Sequence, residues 1–185
     1  MASNATIFKA TLQISDMDRQ YYQDHAVTLA RHPSETDERM MVRLLAFALH
    51  AHEALSFGRG ISAEEDPALW IKDLTGAIDH WIDVGQPNEK SIRQACGRAK
   101  QVYVYTYGGR GADQWWEKNL TILERLDNLT VMNLPLEESR LLARLAQPSM
   151  QLQCTIQERN IWMTDGETTA HIELTIVKDA ERSVG

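Results

Sequence analysis

Asp66 and Asp83 are the residues whose type and spacing point most directly to chemistry. They bracket the stretch Asp66-Pro-Ala-Leu-Trp-Ile-Lys-Asp-Leu-Thr-Gly-Ala-Ile-Asp-His-Trp-Ile-Asp83. Ala68 to Lys72 and Ile78 to Val84 are rich in apolar and β-branched residues, and Asp73-Leu-Thr-Gly76 between them has the composition of a turn, so the stretch reads as a β-hairpin. A loop of two or four residues centred on Leu74 and Thr75 pairs Lys72 with Ala77, Trp70 with Asp79, Ala68 with Trp81 and Asp66 with Asp83. Directly opposed Cβ atoms lie about 5 Å apart, and like charges so placed repel. A divalent metal held by both oxygens is the chemistry that would make the pair useful. Side chains alternate along a strand, so Asp66, Ala68, Trp70 and Lys72 share a face with Asp79, Trp81 and Asp83. Leu69, Ile71, Ile78, Ile82 and Val84 then face the core. A one-residue bulge would break this register. The simpler alternative is that Asp66 only opens a strand and Asp83 only ends one.

The chain that must position these residues has 185 residues, 43% apolar and 24% charged, the make-up of one globular domain spanning 1–185. Its net charge of −7 opposes indiscriminate binding to nucleic acid, so such a role needs a local basic patch. Lys90, Arg93, Arg98, Lys100 and Arg110 provide one, in a window whose only acid is Glu89. Cys96 and Cys154 are too few for a disulfide framework or a zinc site and read as buried thiols. Met1 to Lys9 lacks the apolar segment of a signal peptide, and no apolar run is long enough to cross a bilayer, which implies a cytoplasmic protein without membrane attachment.

The surrounding elements follow from periodicity. Phe8, Ala10, Leu12 and Ile14 alternate with polar residues, the pattern of a half-buried strand. A helix is expected over Tyr21 to Arg31, stopping near Pro33. A capping box from Ser34 to Asp37 opens a long helix from about Glu35 to Leu55, apolar nearly all round from Met40 to Leu49. Gly58, Gly60 and the acids Glu64 to Asp66 lead into the hairpin. Gly85-Gln-Pro87 ends it and begins a helix with Pro87 at the first helical position and Glu89 in the first turn, followed by a strand from Gln101 to Tyr107, which makes a parallel crossover. Helices are expected from Ala112 to Leu126 and from Leu136 to Ala146. Leu152, Cys154 and Ile156, then Ile172, Leu174 and Ile176, alternate around an Asp165-Gly166 hairpin turn. The two ends of the chain are therefore expected to pair in an antiparallel sheet.

Buried helix, antiparallel strand pair, helix and parallel strand is an order that resembles the core of the PD-(D/E)XK nuclease superfamily. The segments Phe47-Ala-Leu-His-Ala-His-Glu53, Glu65-Asp-Pro-Ala-Leu-Trp70, Trp81-Ile-Asp-Val-Gly-Gln-Pro-Asn-Glu-Lys-Ser-Ile92 and Tyr105-Thr-Tyr-Gly-Gly-Arg110 look like those of the YaeQ family, across essentially the whole chain. The resemblance implies an α/β fold: helices flanking a central mixed sheet, with an antiparallel extension from the two termini. It implies Glu53 as the helix acid, Asp83 as the acid of an acid-x-Lys motif, and Asp66 as the companion acid before the hairpin. The lysine of that motif is replaced by Gly85. Lys90, one turn into the next helix, or Lys72 across the hairpin would take its role. His50 and His52 read as hydrogen-bonded core residues, since a hard metal does not need them.

Under that resemblance Asp66, Asp83 and Glu53 would hold Mg²⁺. The metal would lower the pKa of a bound water and neutralise charge on a phosphoryl group, and a lysine would stabilise the transition state, a contribution typically worth roughly 10²–10³ in rate. Arg93, Arg98, Lys100 and Arg110 would contact phosphates without reading sequence. The expectation is a Mg²⁺-dependent phosphodiesterase acting on nucleic acid. The alternative is an inactive nuclease fold that binds nucleic acid or a protein partner. Tyr103, Tyr105 and Tyr107 share one strand face and read as packing, as do Trp115 and Trp116.

Overall fold

The computed structural model describes residues 4–60 and 65–180. Glu64 of the acidic run, and Met1 to Ser3 of the segment read for a signal peptide, lie outside them. In chain order the elements are β1 (Thr6–Asp16), β2 (Tyr21–Arg31), α1 (Asp37–Leu49), β3 (Leu55–Phe57), β4 (Leu69–Lys72), β5 (Ile78–Val84) and α2 (Glu89–Arg98). There follow β6 (Ala99–Thr106), α3 (Arg110–Leu123), β7 (Leu129–Asn133), α4 (Leu136–Ala143), β8 (Ser149–Gln157), β9 (Asn160–Thr164), β10 (Thr169–Glu173) and β11 (Thr175–Lys178). The fold is mixed α/β, with two mixed sheets and, among the described residues, four helices. The chain forms two compact units, Met1–His50 with Glu137–Leu174, and Ala51–Leu136 with Thr175–Gly185.

The first unit is built on a five-stranded sheet ordered β10-β9-β8-β1-β2. The alternation read in β1 is realised: Phe8, Ala10, Leu12 and Ile14 are buried between exposed Lys9, Thr11 and Gln13. Tyr21–Arg31, expected as a helix, is instead a strand that pairs antiparallel with β1 along its whole length. Its apolar residues satisfy either period, but only Val27 and Leu29 are buried, two apart, and the turn before them is locked by the Asp16 carboxylate, which accepts from the Asp18 and Arg19 amides at 3.1 Å. The terminal segments do meet, but β1 pairs with β8 in parallel rather than antiparallel. The segment expected to alternate through Ile176 divides at Leu174, β10 joining this sheet and β11 the other.

Helix α1 packs on β1 and β2. Its cap is Thr36, whose hydroxyl accepts from the Arg39 amide at 3.1 Å, not the expected Ser34. Glu35 is buried instead, accepting from Arg43 Nη2 at 2.7 Å and Nε at 2.8 Å and from Arg39 Nη1 at 2.5 Å. The helix ends at Leu49, so it does not reach Glu53.

The second unit carries a six-stranded sheet ordered β11-β7-β6-β5-β4-β3. β5, α2 and β6 form the expected parallel crossover, and β6 to β7 is parallel as well. α2 begins two residues later than the proline suggests, capped by Asn88, whose side chain accepts from the Lys90 amide at 2.8 Å. Ile92, Ala95, Val102, Val104, Leu123 and Val131 form the core with Trp81, and Trp115 and Trp116 pack against it.

The hairpin exists, but its register differs by two residues. Asp73 pairs with Ala77 around a three-residue loop: the Asp73 amide donates to Ala77 O at 2.9 Å, and Gly76 takes φ +88°. That conformation suits glycine and is typical of three-residue hairpin loops. A bulge then follows, because Lys72 faces Ile78 while Ile71 faces His80, leaving Asp79 as the extra residue. Each event slides the strands by one residue. Together they keep Trp70 and Trp81 on one face, but Ile78, expected beside Ile82, clusters with Trp81, and every partner changes: Trp70 lies opposite Trp81, and Ala68, not Asp66, comes beside Asp83.

Candidate functional site

The slipped register decides what surrounds each acid on the hairpin. Asp83 is half-buried. Its Oδ1 accepts from the Ala68 amide at 3.1 Å and its Oδ2 from the Trp81 indole N–H at 2.8 Å. Asp66 lies before β4 and is gripped by Arg59: Nε donates to Oδ2 at 3.0 Å, Nη2 to Oδ1 at 3.0 Å, and the Arg59 amide to Oδ2 at 2.8 Å. The Asp66 side chain is 6% accessible, whereas that of Arg59 is 71%. Arg59's hydrogen bonds hold the Asp66 carboxyl below the ordinary carboxylate range. The grip depends on Gly58, where a Cβ would meet Pro67 O at 2.0 Å, so only glycine lets the two segments pass this closely.

Glu53 lies in an exposed turn after α1. The opposition of Asp66 and Asp83 read from the sequence is therefore corrected by the turn and bulge, and Glu53 is not a helix acid. Among the described residues no three His, Cys, Asp or Glu side chains are grouped to hold a metal ion. Asp66 and Asp83 are held separately, Asp66 by Arg59 and Asp83 by the Ala68 amide and the Trp81 indole, whereas a hard cation such as Mg²⁺ takes several oxygens converging on one point. His52 uses Nδ1 to accept from the Ala54 amide at 2.9 Å, and His50 is buried at the end of α1. Lys90 is exposed on the first turn of α2.

What the hairpin face does gather is a series of aromatic and cationic groups. Lys72 Nζ sits 3.6 Å from the centroid of Trp70, Trp70 meets Trp81 edge-on at 6.0 Å, and the Arg98 guanidinium lies 5.2 Å from the Trp81 ring. Each cation is attracted by the negative face of an indole. Trp81 is buried and Trp70 half-buried, while Lys72 and Arg98 are exposed. Lys100 pairs with Asp79 at 3.2 Å, and Arg93 with Glu89 at 2.8 Å. Arg110 begins α3, exposed. Within the basic window Arg98 borders Trp81, and Lys90, Arg93, Lys100 and Arg110 are exposed. Lys72 lies on the face that the strand alternation assigns it, whereas no pattern in the hairpin marks Arg59 as the partner of Asp66. The signal for Arg59 is an arginine flanked by Gly58 and Gly60 a few residues before a buried aspartate.

Comparison with known proteins places this architecture. The family model described as YaeQ protein matches residues 1–174. The chain belongs to the YaeQ family. It is 42% identical over 175 residues to the uncharacterized protein YaeQ of Escherichia coli (strain K12), a match covering 95% of this chain and 97% of that one. The Salmonella typhi protein is 43% identical over the same length. The crystal structure of the YaeQ protein from Xanthomonas axonopodis pv. citri superposes with a TM-score of 0.91 at 44% identity, covering 95% of this chain and 99% of that one. That from Pseudomonas syringae gives 0.91 at 34% identity, covering 96% and 98%. The YaeQ fold thus extends over both units. No helix among the described residues is long and apolar enough to cross a membrane.

On the opposite face of the same unit, Tyr105 is buried and Tyr103 meets His80 edge-on at 5.3 Å. These rings pack, as expected of tyrosines on a strand. Burial pushes the His80 pKa down, with Asp79 opposing that effect. Burial also raises the Cys96 thiol to about 11 and Cys154 to about 12, so both are inert as nucleophiles near neutral pH.

Proposed function

We propose that this protein binds nucleic acid through the exposed cations of its six-stranded unit and does not hydrolyse it by a metal-dependent route. One observation carries this reading: Asp66 and Asp83, the acids a phosphodiesterase would commit to a metal, are tied into the fold by Arg59, Ala68 and Trp81. Lys72, Lys90, Arg93, Arg98, Lys100 and Arg110 remain at exposed positions of the same unit. Cations spread over a surface neutralise phosphates and release condensed counterions, which gives affinity without sequence reading. A net charge of −7 keeps such binding weak away from this patch.

Fluorescence anisotropy with labelled single- and double-stranded DNA and RNA tests the reading, titrated at several salt concentrations with EDTA or with Mg²⁺. Binding is expected to persist in EDTA and in Asp83→Ala, and to weaken steeply with salt. Arg98→Ala is expected to reduce the salt slope by about 1 if that guanidinium contacts a phosphate. Cleavage of the probe that requires Mg²⁺ and is lost in Asp83→Ala would return the argument to phosphodiester hydrolysis. Absence of binding to all four probes would move it to a protein partner.

A further inference from the structure

The outer face of the five-stranded sheet differs chemically from the surface just described. Thr11 and Gln13 of β1 lie opposite Gln151 and Gln153 of β8, and Gln153 lies opposite Thr164 of β9. These side chains alternate with buried Leu12, Leu152 and Met163, so they point away from the core. The turn after β9, Asp165–Gly166, closes one side, with Gly166 at φ +97°. Together they line a concavity of about 260 Å³.

The lining excludes several ligand classes. It contains no Lys or Arg to attract a phosphate or carboxylate. Its one acid, Asp165, uses Oδ1 to accept from the Glu167 amide at 2.9 Å and the Thr168 amide at 2.7 Å, which makes it part of the turn. Its one apolar residue, Leu152, is 2% exposed and offers little surface to a greasy ligand. What remains is the three primary amides of Gln13, Gln151 and Gln153 and the hydroxyl of Thr11, since the Thr164 hydroxyl is engaged with Thr168 O, the Gly166 amide and Thr169 in the turn. An amide presents an acceptor and two donors side by side, and a hydroxyl is both donor and acceptor. That inventory matches a molecule whose own groups are hydroxyls.

An aromatic platform adjoins it. Two residues along β9 from Thr164, on the same face, Trp162 stacks flat on His171 with centroids 4.8 Å apart and planes 4° apart. His171 is itself hydrogen-bonded to Asn160 Oδ1 at 2.8 Å. A half-buried indole beside a row of amides offers a sugar ring both an apolar face and paired hydrogen bonds. Ligand sites run from about 300 Å³ upward, so this one is small and suits a single ring. We propose that this concavity binds a neutral, hydroxyl-rich ligand, a hexose unit, through Gln13, Gln151 and Gln153 with Trp162 at its margin.

The test is a titration of the ¹⁵N-labelled full chain with glucose, N-acetylglucosamine and maltose, and with glucose 6-phosphate as an anionic control. The expected result is saturable shifts of the Gln13, Gln151 and Gln153 side-chain amides and of the Trp162 indole N–H for at least one neutral sugar, with Kd about 1 mM or tighter. Gln151→Ala should weaken that binding at least about tenfold, and Thr11→Val, on a different strand, should weaken it independently. Both positions point outward, so unchanged backbone spectra are expected. Shifts that rise linearly without saturating, shifts confined to other residues, tighter binding of the phosphorylated sugar, or no shifts at all would each overturn the proposal.

Discussion

Glu35 in the five-stranded unit and Asp83 in the six-stranded unit are carboxylates held by different means. In the five-stranded unit Glu35 is enclosed by Arg43 and Arg39, so its charge is met by cations that are themselves shielded, Arg43 being only 9% accessible. In the six-stranded unit Asp83 is held by a backbone amide and an indole N–H, two neutral donors on its own hairpin. A buried ion pair is rigid and costly to break from one side, since removing either partner strands a charge. A carboxylate held by neutral dipoles is replaced at the cost of two unsatisfied donors, a smaller penalty. Asp83 thus serves its own hairpin as an acceptor, whereas Glu35 is one member of a charged cluster.

The contrast can be broken by mutation. Glu35→Ala should destabilise the protein by about 3–5 kcal/mol in urea melts, because two arginines lose their partner in a buried site. Asp83→Ala should cost about 1–3 kcal/mol and move the Trp81 indole N–H resonance, as that donor loses its acceptor. Equal losses from the two substitutions would show that the means of holding the carboxylate does not matter. Lys72→Ala should cost only about 0.5–1 kcal/mol, the size of an exposed cation–π contact, while leaving the Asp83 bonds and the Trp81 indole signal in place.

Protonation sharpens the comparison within each unit. His25 and His80, one in each unit, both have folded-state pKa values below 6.5, in each case chiefly because burial disfavours the charged ring. The unfolded chain then binds the proton more readily than the folded one. The stabilisation is present in full above the unfolded value and is lost as pH falls through the folded value. Urea midpoints should therefore drop between pH 7.5 and pH 5.5, and His80→Gln should shrink the drop. If His80→Gln leaves the pH dependence unchanged while His25→Gln removes it, the pH response belongs to the first unit. The Asp66 carboxyl, also depressed, acts in the same direction at lower pH, its contribution being lost as pH falls through its folded value.

Several elements were legible because their signals are local. The β1 alternation, the β5–α2–β6 crossover and the Asp165–Gly166 turn each rest on a period or a turn composition within a few residues. β2 was not legible: Tyr21, Tyr22, Ala26, Val27, Leu29 and Ala30 satisfy a helical stripe as well as a strand, and its full-length pairing with β1 settles the matter. The end of α1 was not legible either, because apolar residues continue past Leu49 into the next unit.

The sequence by itself determined the family, the hairpin, the basic window and the shared face of Trp70 and Trp81. Those follow from residue type and a period of two, which survive a slip of two residues. Only the tertiary structure decided which groups meet. The three-residue loop at Gly76 and the bulge at Asp79 moved Asp83 from Asp66 to Ala68, and the chain passing at Gly58 brought Arg59 onto Asp66. Register and close approach depend on single-residue backbone choices settled by the packing of the whole sheet. The proposed carboxylate pair therefore resolved into two separately held aspartates beside a cation–tryptophan surface.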